Sequence, residues 1–422
     1  MSGYLTLPAS PTGDVAALVG PRLLAGLAHG PGLFEHRALW PAPRALDEAQ
    51  LLSVLDTAGV QGRGGAGFPF ARKVRTAVES GRRRAVVVNA SEGEPASAKD
   101  STLLVAAPHL VLDGAEAVAH ALGCDLVQVV VGHDRPAARR ALEVALDERD
   151  PGLAAVDVHL TRAPFVGGQE SAVLELLEGR ENLPVTRWEP AAVSGLRGRP
   201  TLVSNAETFA QVATLLALGP AGYAELGTPG EPGTTLLTVA GDGPHGVVLE
   251  VPYGVGLGSV LEHCGYPGDG PVLLGGYHGT WLPAGHAPGL PVSRRDLAPV
   301  GLTLGAGVVL PLAASTCPIT VTAGVTGYLA GASAGRCGPC VNGLPALATA
   351  VAALADGAGP AATRRVQELV GLLPGRGACA HPDGSARLVA SLLRAFPDEV
   401  RAHEQGVCSA TASAPTGRRR RH

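Results

Sequence analysis

Residues 84–89 read Arg84-Ala85-Val86-Val87-Val88-Asn89, and residues 126–132 read Leu126-Val127-Gln128-Val129-Val130-Val131-Gly132. Both are continuous apolar runs of strand length, the pattern of parallel strands covered on both faces rather than of half-exposed antiparallel ones. Between them residues 108–122 have helical spacing. A further helix at 136–148 follows the second run, 156–161 resumes as strand, and Glu170–Leu177 as helix. This β-α-β-α-β-α order predicts an α/β fold with a doubly wound sheet.

Working outward, residues 1–45 are rich in Pro and Gly and read as an irregular leader with one helix near 14–27. The α/β domain takes 46–225. Residues 230–290 change character: TTLLTVAG, GVVLEVPYG and PVLLGG read as short strands between Gly turns, with one helical piece at 257–264, hence a small β-rich domain. A connecting strand segment follows at 291–316. From 317 to 405 the period is helical, at 319–329, 344–354, 361–372 and 386–396, which predicts a bundle. Residues 406–422 read as a disordered tail, and the basic run at its end as solvated rather than as a binding patch.

At 422 residues, with 46% hydrophobic and 17% charged, the chain has the length of two to four domains at ~100–200 residues each and a globular composition. A net charge of -4 and a pI near 6.4 give no nucleic-acid or anionic-membrane signature. No apolar run reaches the ~18–20 residues of a spanning helix, so no direct membrane insertion is expected. The N-terminus lacks a basic region followed by an apolar one, which predicts a cytoplasmic protein. Seven cysteines, at 124, 264, 317, 337, 340, 379 and 408, point to metal or redox chemistry rather than a disulfide framework.

Four stretches carry chemistry. In Gly62-Arg63-Gly64-Gly65-Ala66-Gly67-Phe68-Pro69, with Lys73 after it, the glycines let backbone amides approach an anion or a flat ring, and a following helix start adds a favourable dipole; the plain alternative is a flexible turn. Asn89-Ala90-Ser91-Glu92-Gly93-Glu94-Pro95 leaves the carboxyl end of the first strand, the edge where doubly wound sheets bind ligands, or is a capped turn. Gly167-Gly168-Gln169-Glu170-Ser171 opens a helix, where Glu170 either favours the dipole or meets a ligand. Ser204-Asn205-Ala206-Glu207-Thr208 either joins that crevice or is an N-cap.

The order GRGGAGFP, NASEGEP, GGQESAVLELLEG, SGLRGRPTLVSNAET, a β-rich domain and then GRCGPC resembles the NADH-binding flavoprotein subunit of respiratory complex I and its relatives in formate dehydrogenases and hydrogenases, over roughly residues 50–400. The resemblance implies a Rossmann-like FMN domain, a β-grasp-like domain and a helical bundle carrying a [4Fe-4S] cluster. It also implies an NADH dehydrogenase-type enzyme, passing electrons from NADH through FMN to iron–sulfur and on to a ferredoxin-like or quinone-linked acceptor. By this resemblance Gly62, Arg63, Gly64, Gly65, Gly67, Lys73, Asn89, Glu92 and Asn205 bind FMN, and Glu92 and Glu170 are the catalytic carboxylates. Ser91 stands where the family has Asp, Ser204 where it has Asn, Gln169 where it has Glu and Phe165 where it has Tyr. The aromatic rings that hold adenine are replaced by Thr76 and Pro190, with Phe70 and Trp188 as candidate substitutes. A hetero-complex with a ferredoxin-like or [2Fe-2S] redox subunit is the implied assembly.

The family's cluster loop has three cysteines in CxxCxxC spacing and a fourth about 40 residues later. Here Ala334 replaces the first, Cys337 and Cys340 match the others, and Cys379 in GRGACAHPDG matches the distant one. A [4Fe-4S] cube takes four ligands, and Cys317 in STCP is the first candidate for the missing one. The competing readings are a buried structural Cys317, a three-cysteine cluster with a labile fourth position, and His381 as ligand. A different class stays open beside the enzyme: a non-catalytic scaffold with a structural zinc and a vestigial flavin cleft, since CxxC also serves zinc.

Overall fold

The computed structural model describes residues 4–10, 13–81, 83–150, 154–163, 165–241 and 246–412. The chain opens with an antiparallel hairpin, β1 (Tyr4–Ser10) and β2 (Gly13–Leu18), and β2 lies parallel to the distant strand Gly246–Pro252. This corrects the irregular leader: the stretch expected as a helix near 14–27 begins as a strand. Val15 and Ala17 alternate with more open neighbours and are buried against the sheet, a period of two. Helical turns come later, as one turn at Ala25–Ala28 and as α1 (Leu33–Leu39). Residues 1–3 and 11–12 of that leader lie outside the described residues.

α2 (Glu48–Ala58) starts at Asp47, whose side chain accepts from the Gln50 amide while the Gln50 side chain answers the Asp47 amide, a capping box. The glycine loop leads into α3 (Phe70–Ser80). Then come β3 (Ala85–Ala90), α4 (Lys99–Ala106), α5 (Pro108–Ala121), β4 (Leu126–Val131), α6 (Pro136–Asp147), β5 (Ala155–Leu160), α7 (Glu170–Leu177), β6 (Thr201–Asn205) and α8 (Ala206–Tyr223). The four strands are parallel in the order β5-β4-β3-β6. Val86, Val87 and Val88 of β3 have no exposed surface, as the unbroken valine run requires. The chain moves outward from β3 to β5 and then returns to the other side of β3. That reversal opens a crevice at the carboxyl ends of β3 and β6. Asn89 and Asn205 face each other across it in register.

A short hairpin, β7 (Gly227–Thr228) and β8 (Glu231–Pro232), leads to β9 (Thr234–Val239), β10 (Gly246–Pro252), α9 (Leu257–His263), β11 (Val272–Leu274), β12 (Thr280–Leu282), α10 (Arg294–Leu297) and β13 (Val308–Pro311). The sheet runs β1-β2-β10-β9-β13-β11-β12. Its two middle strands, β9 and β13, are parallel, each has an antiparallel neighbour outside it, and α9 packs on the sheet through Leu257, Val260 and Leu261. That is a β-grasp arrangement. It relocates 291–316: the segment expected as a connector supplies α10 and the central strand β13, so the β domain continues past residue 290.

The bundle comprises α11 (Pro318–Gly331), α12 (Leu344–Ala355), α13 (Pro360–Leu372), α14 (His381–Ala395), α15 (Pro397–Glu404) and α16 (Ser409–Ala412). Pro opens α11, α13 and α15, where its missing N–H costs nothing. The expected tail divides: 406–412 continue past α15 into α16, and 413–422 lie outside the described residues. Among the described residues no single helix is long and apolar enough to cross a membrane. The α4–α5 pair passes by length and composition but is bent by 95°, and its apolar side chains lie in the core of the α/β domain.

Candidate functional site

The crevice between β3 and β6 is the floor of a cleft of about 570 Å³, within the range of small-ligand sites. Its walls come from the glycine loop, the segment after β3, the start of α7, and residues His278, Ala306 and Ala380 of the other two domains. The glycine loop is pinned at its ends. Gly62 donates to the Phe68 carbonyl at 2.8 Å, and Arg63 donates its amide to Thr208 Oγ1 at 2.9 Å. Between those anchors the amides of Gly64, Gly65, Ala66 and Gly67 donate to no group among the described residues. Gly65 has φ +107° and Gly67 φ +62°, conformations that glycine adopts freely. Arg294 reaches over from α10 to bond the Gly65 carbonyl at 2.9 Å. The loop therefore holds a row of open donors in a fixed shape, a cradle for an anion or a flat ring.

Other expected ligands act differently. The Arg63 side chain is fully buried, bonded to the Thr234 carbonyl and lying over the Tyr253 ring; it ties the loop to the β domain. Asn205 donates to Asp100 Oδ2 at 2.7 Å and accepts from Lys99 Nζ at 2.9 Å, while Asn89 donates to the Gly168 carbonyl at 2.8 Å and accepts from Ser91. They brace the floor. Glu92, at φ 45°, turns its carboxylate into the protein and accepts from the Asp100 and Ser101 amides and the Ser97 and Ser101 hydroxyls. It caps α4, so its carboxylate is committed to the scaffold rather than free for catalysis. Lys73 and Glu170 meet at 2.7 Å, and Lys73 also donates to the Val203 carbonyl at 2.6 Å; one of its three donors remains for a ligand.

Several groups were not singled out from the sequence. Lys99 is buried, with Asp100 Oδ1 at 2.8 Å and Glu207 Oε2 at 3.1 Å. Burial works against its charge, yet these two carboxylates win and raise its pKa. A signal was present: the chain has two lysines against 31 arginines, Lys73 and Lys99, and both line the cleft. Phe68 is 45% exposed at the cleft wall with the Arg72 guanidinium 5.6 Å from its ring centre. By contrast, Phe70 is buried edge-on against Phe209 and Trp188 is 94% exposed.

Glu94 lines the cleft, accepting from the Tyr277 amide at 2.9 Å, and burial pushes its pKa up to about 7 despite that bond. The folded chain thus keeps this proton to about pH 7, whereas the unfolded chain releases it near 4.5. Stability contributed by the neutral form falls as pH rises between those values. Glu94→Gln is expected to resist urea better than the parent at pH 8 and equally at pH 4; a gain of the same size at both pH values would contradict the assignment.

The cysteine loop shares a wall with the cleft. Cys337 and Cys340 sulfurs lie 3.5 Å apart, Cys340 on the π-helical turn before α12 and Cys337 just ahead of it. Burial opposes ionisation of Cys337, but the amides of Ala378 and Cys340 reverse this and lower its pKa; the Ala334 amide points at the Cys340 sulfur. Cys379 receives a hydrogen bond from Gln169, which lines the cleft, as does the next residue, Ala380. Phe165, His278 and His381 pack ring to ring between the two places, at 4.7 and 5.1 Å for successive centroids. Three sulfurs are thus gathered.

Cys317 does not join them. It caps the start of α11, 14 residues and about 21 Å of helix from the loop, where its sulfur faces His403 at 3.4 Å. His381 bonds the Leu329 carbonyl with one ring nitrogen and His278 with the other, so neither is turned to the loop.

Residues 55–214 match the family described as the Nuo51 FMN-binding domain, and residues 320–403 the NADH-ubiquinone oxidoreductase-F iron-sulfur binding region. The second of the NADH-quinone oxidoreductase F subunits of Rhizobium meliloti (strain 1021) is 28% identical over 388 residues, covering 87% of this chain and 92% of its own length. The NADH-quinone oxidoreductase F subunit of Mycobacterium tuberculosis (strain ATCC 25618 / H37Rv) is 29% identical over 384 residues, covering 84% and 85%. Among solved structures, an NAD+-reducing [NiFe]-hydrogenase in the air-oxidized state superposes with a TM-score of 0.80 at 30% identity, over 92% of this chain and 67% of that one.

Proposed function

This chain belongs to the NADH-quinone oxidoreductase F-subunit family of FMN- and iron–sulfur-dependent oxidoreductases, and from that membership we propose how its residues hold the two cofactors and choose the donor. The amides of Gly64, Gly65, Ala66 and Gly67 and the remaining donor of Lys73 are the groups with bonding capacity left over, and they hold FMN. Bound there, FMN supplies the conversion between hydride and one-electron chemistry. Asn89, Asn205, Lys99 and Glu92 keep the floor rigid. Cys337, Cys340 and Cys379 hold the iron–sulfur cluster, whose fourth iron takes no cysteine from the loop. The observation that carries this reading is the shared wall: Gln169 lines the cleft and bonds Cys379, so a flavin and a cluster held by these residues are neighbours. The scaffold reading is set aside, because the family is one of electron-transfer enzymes.

At the mouth, Phe68 backed by Arg72 is the open aromatic face for an adenine ring, in place of the missing family aromatics. Glu170 lines the cleft with Phe68, and its carboxylate faces the adenosine ribose of a dinucleotide whose adenine lies on Phe68, where the 2′-phosphate of NADPH would be repelled. Anaerobic addition of NADH is expected to bleach the flavin about tenfold faster than NADPH, the effect of about 1.4 kcal/mol in the barrier. Equal rates, or no bleaching by either, would move the donor to a reduced protein. The relatives named above are subunits of larger assemblies, and a ferredoxin-like or [2Fe-2S] subunit in a cytoplasmic hetero-complex is the acceptor that one-electron output requires.

A further inference from the structure

At the far end of α11 from the cysteine loop, four side chains with metal-ligand chemistry converge on one point. Cys317 Sγ, Glu399 Oε1, His403 Nε2 and the Cys408 sulfur all lie within 4.8 Å of one another. The edges are 3.3 Å from His403 Nε2 to Glu399 Oε1, 3.4 Å from His403 Nε2 to Cys317 Sγ, and 3.9 Å from Cys317 Sγ to Glu399 Oε1. A tetrahedral zinc ion with its ordinary bond lengths to sulfur, imidazole nitrogen and carboxylate oxygen sets edges of about 3.4–3.8 Å between those ligand atoms. Those three edges lie at or just outside that range, and the Cys408 sulfur is within 4.8 Å of each of the other three atoms.

The surroundings are arranged for a ligand as well. His403 Nδ1 faces the carbonyls of Ala355 at 3.0 Å and Leu354 at 3.3 Å. Those oxygens only accept, so Nδ1 carries a proton and Nε2 is the ring nitrogen turned to the cluster, the orientation of metal-bound histidines held by a carbonyl. Nε2 faces a carboxylate oxygen, a pair of atoms that can share one cation between them. Burial raises the Cys317 pKa, and the first amides of α11, at Ile319 and Thr320, point at its sulfur and offset part of that rise. Cys317 and His403 are buried at 7% and 3% exposure, and Glu399 and His403 are one turn apart on the same face of α15.

We propose that Cys317, Glu399, His403 and Cys408 form a structural zinc site, separate from the iron–sulfur loop. Two sulfurs, an imidazole and a carboxylate match zinc rather than a hard oxygen-seeking cation, and four protein ligands leave no open position for catalysis. The ion ties the segment after α15 to the start of the bundle, which gives residues 406–412 an anchor. The site stands whether or not the flavin reading does, because none of its ligands touches the cleft.

The test is metal analysis of the full-length protein purified from zinc-supplemented medium, with flavin and iron measured on the same sample. One zinc per chain is expected in the parent, falling to background in Cys317→Ser and Cys408→Ser while flavin and iron stay at parental values. Should a variant fail to fold, cobalt replacement in the parent decides: thiolate-to-cobalt charge-transfer bands and intense tetrahedral visible bands are expected. A parent with neither bound zinc nor uptake of zinc or cobalt would overturn the proposal. So would a folded Cys317→Ser protein that loses iron and keeps its zinc, which would return Cys317 to the cluster.

Discussion

Gly64→Val is expected to yield a folded protein with no bound flavin. Gly64 lines the cleft and has no positive φ, so its backbone accepts a side chain without strain. A Cβ there would stand 3.6 Å from the Asn205 Cβ, ordinary contact, which makes Gly64→Ala a mild change. Valine adds two methyl groups beyond that point, over the floor of the crevice and beside the open amides of the loop. They fill the space that a ring or phosphate must share with the backbone. Flavin released on acid denaturation is expected at the parental level or slightly below for Gly64→Ala and at background for Gly64→Val, with unchanged circular dichroism in both. Full flavin occupancy in Gly64→Val would show that the ligand lies elsewhere.

Ala334→Cys is expected to turn an air-sensitive cluster into an air-stable one. Were Cys337, Cys340 and Cys379 to hold a cube, as proposed above, one iron would lack a cysteine and would be the first to leave on oxidation. Ala334 stands at the position of the family's missing cysteine, and its amide already points at the Cys340 sulfur, so a thiol on its Cβ arises beside the cluster. After exposure to air the parent is expected to fall from four irons per chain towards three, with an EPR signal from the oxidised cluster, while Ala334→Cys keeps four and stays silent. Equal retention of four irons by both proteins would mean that a fourth ligand is already in place.

The parallel sheet was legible because three consecutive valines on β3 and three on β4 state burial on both faces, and helical spacing between them leaves little choice of topology. β2 was not legible. Val15-Ala16-Ala17-Leu18 is too short to separate period two from helical spacing, and its partner β10 lies more than 200 residues away. Sequence separation also hid the Lys99–Glu207 pair, a contact between the start of α4 and that of α8 which no local pattern announces. The motifs named loops that the fold brings together around one cleft, but not the direction of each side chain. Glu92 and Arg63 stand in the motif and face the scaffold, whereas Lys73 and the glycine amides keep capacity for a ligand. Cys317 was a candidate ligand only if the chain between it and the loop folded back, and the unbroken α11 holds the two apart by its own length.

The function proposed above has electrons cross the wall between the cleft and the cysteine loop. EPR of the anaerobic parent after addition of NADH tests this directly, with Gly64→Val beside it and dithionite as the chemical reductant. The prediction is a reduced-cluster signal that grows with NADH in the parent, is absent with NADH in Gly64→Val, and appears in both with dithionite. A bleached flavin with no cluster signal in the parent, or a signal of parental size from NADH in the flavin-free variant, would contradict it.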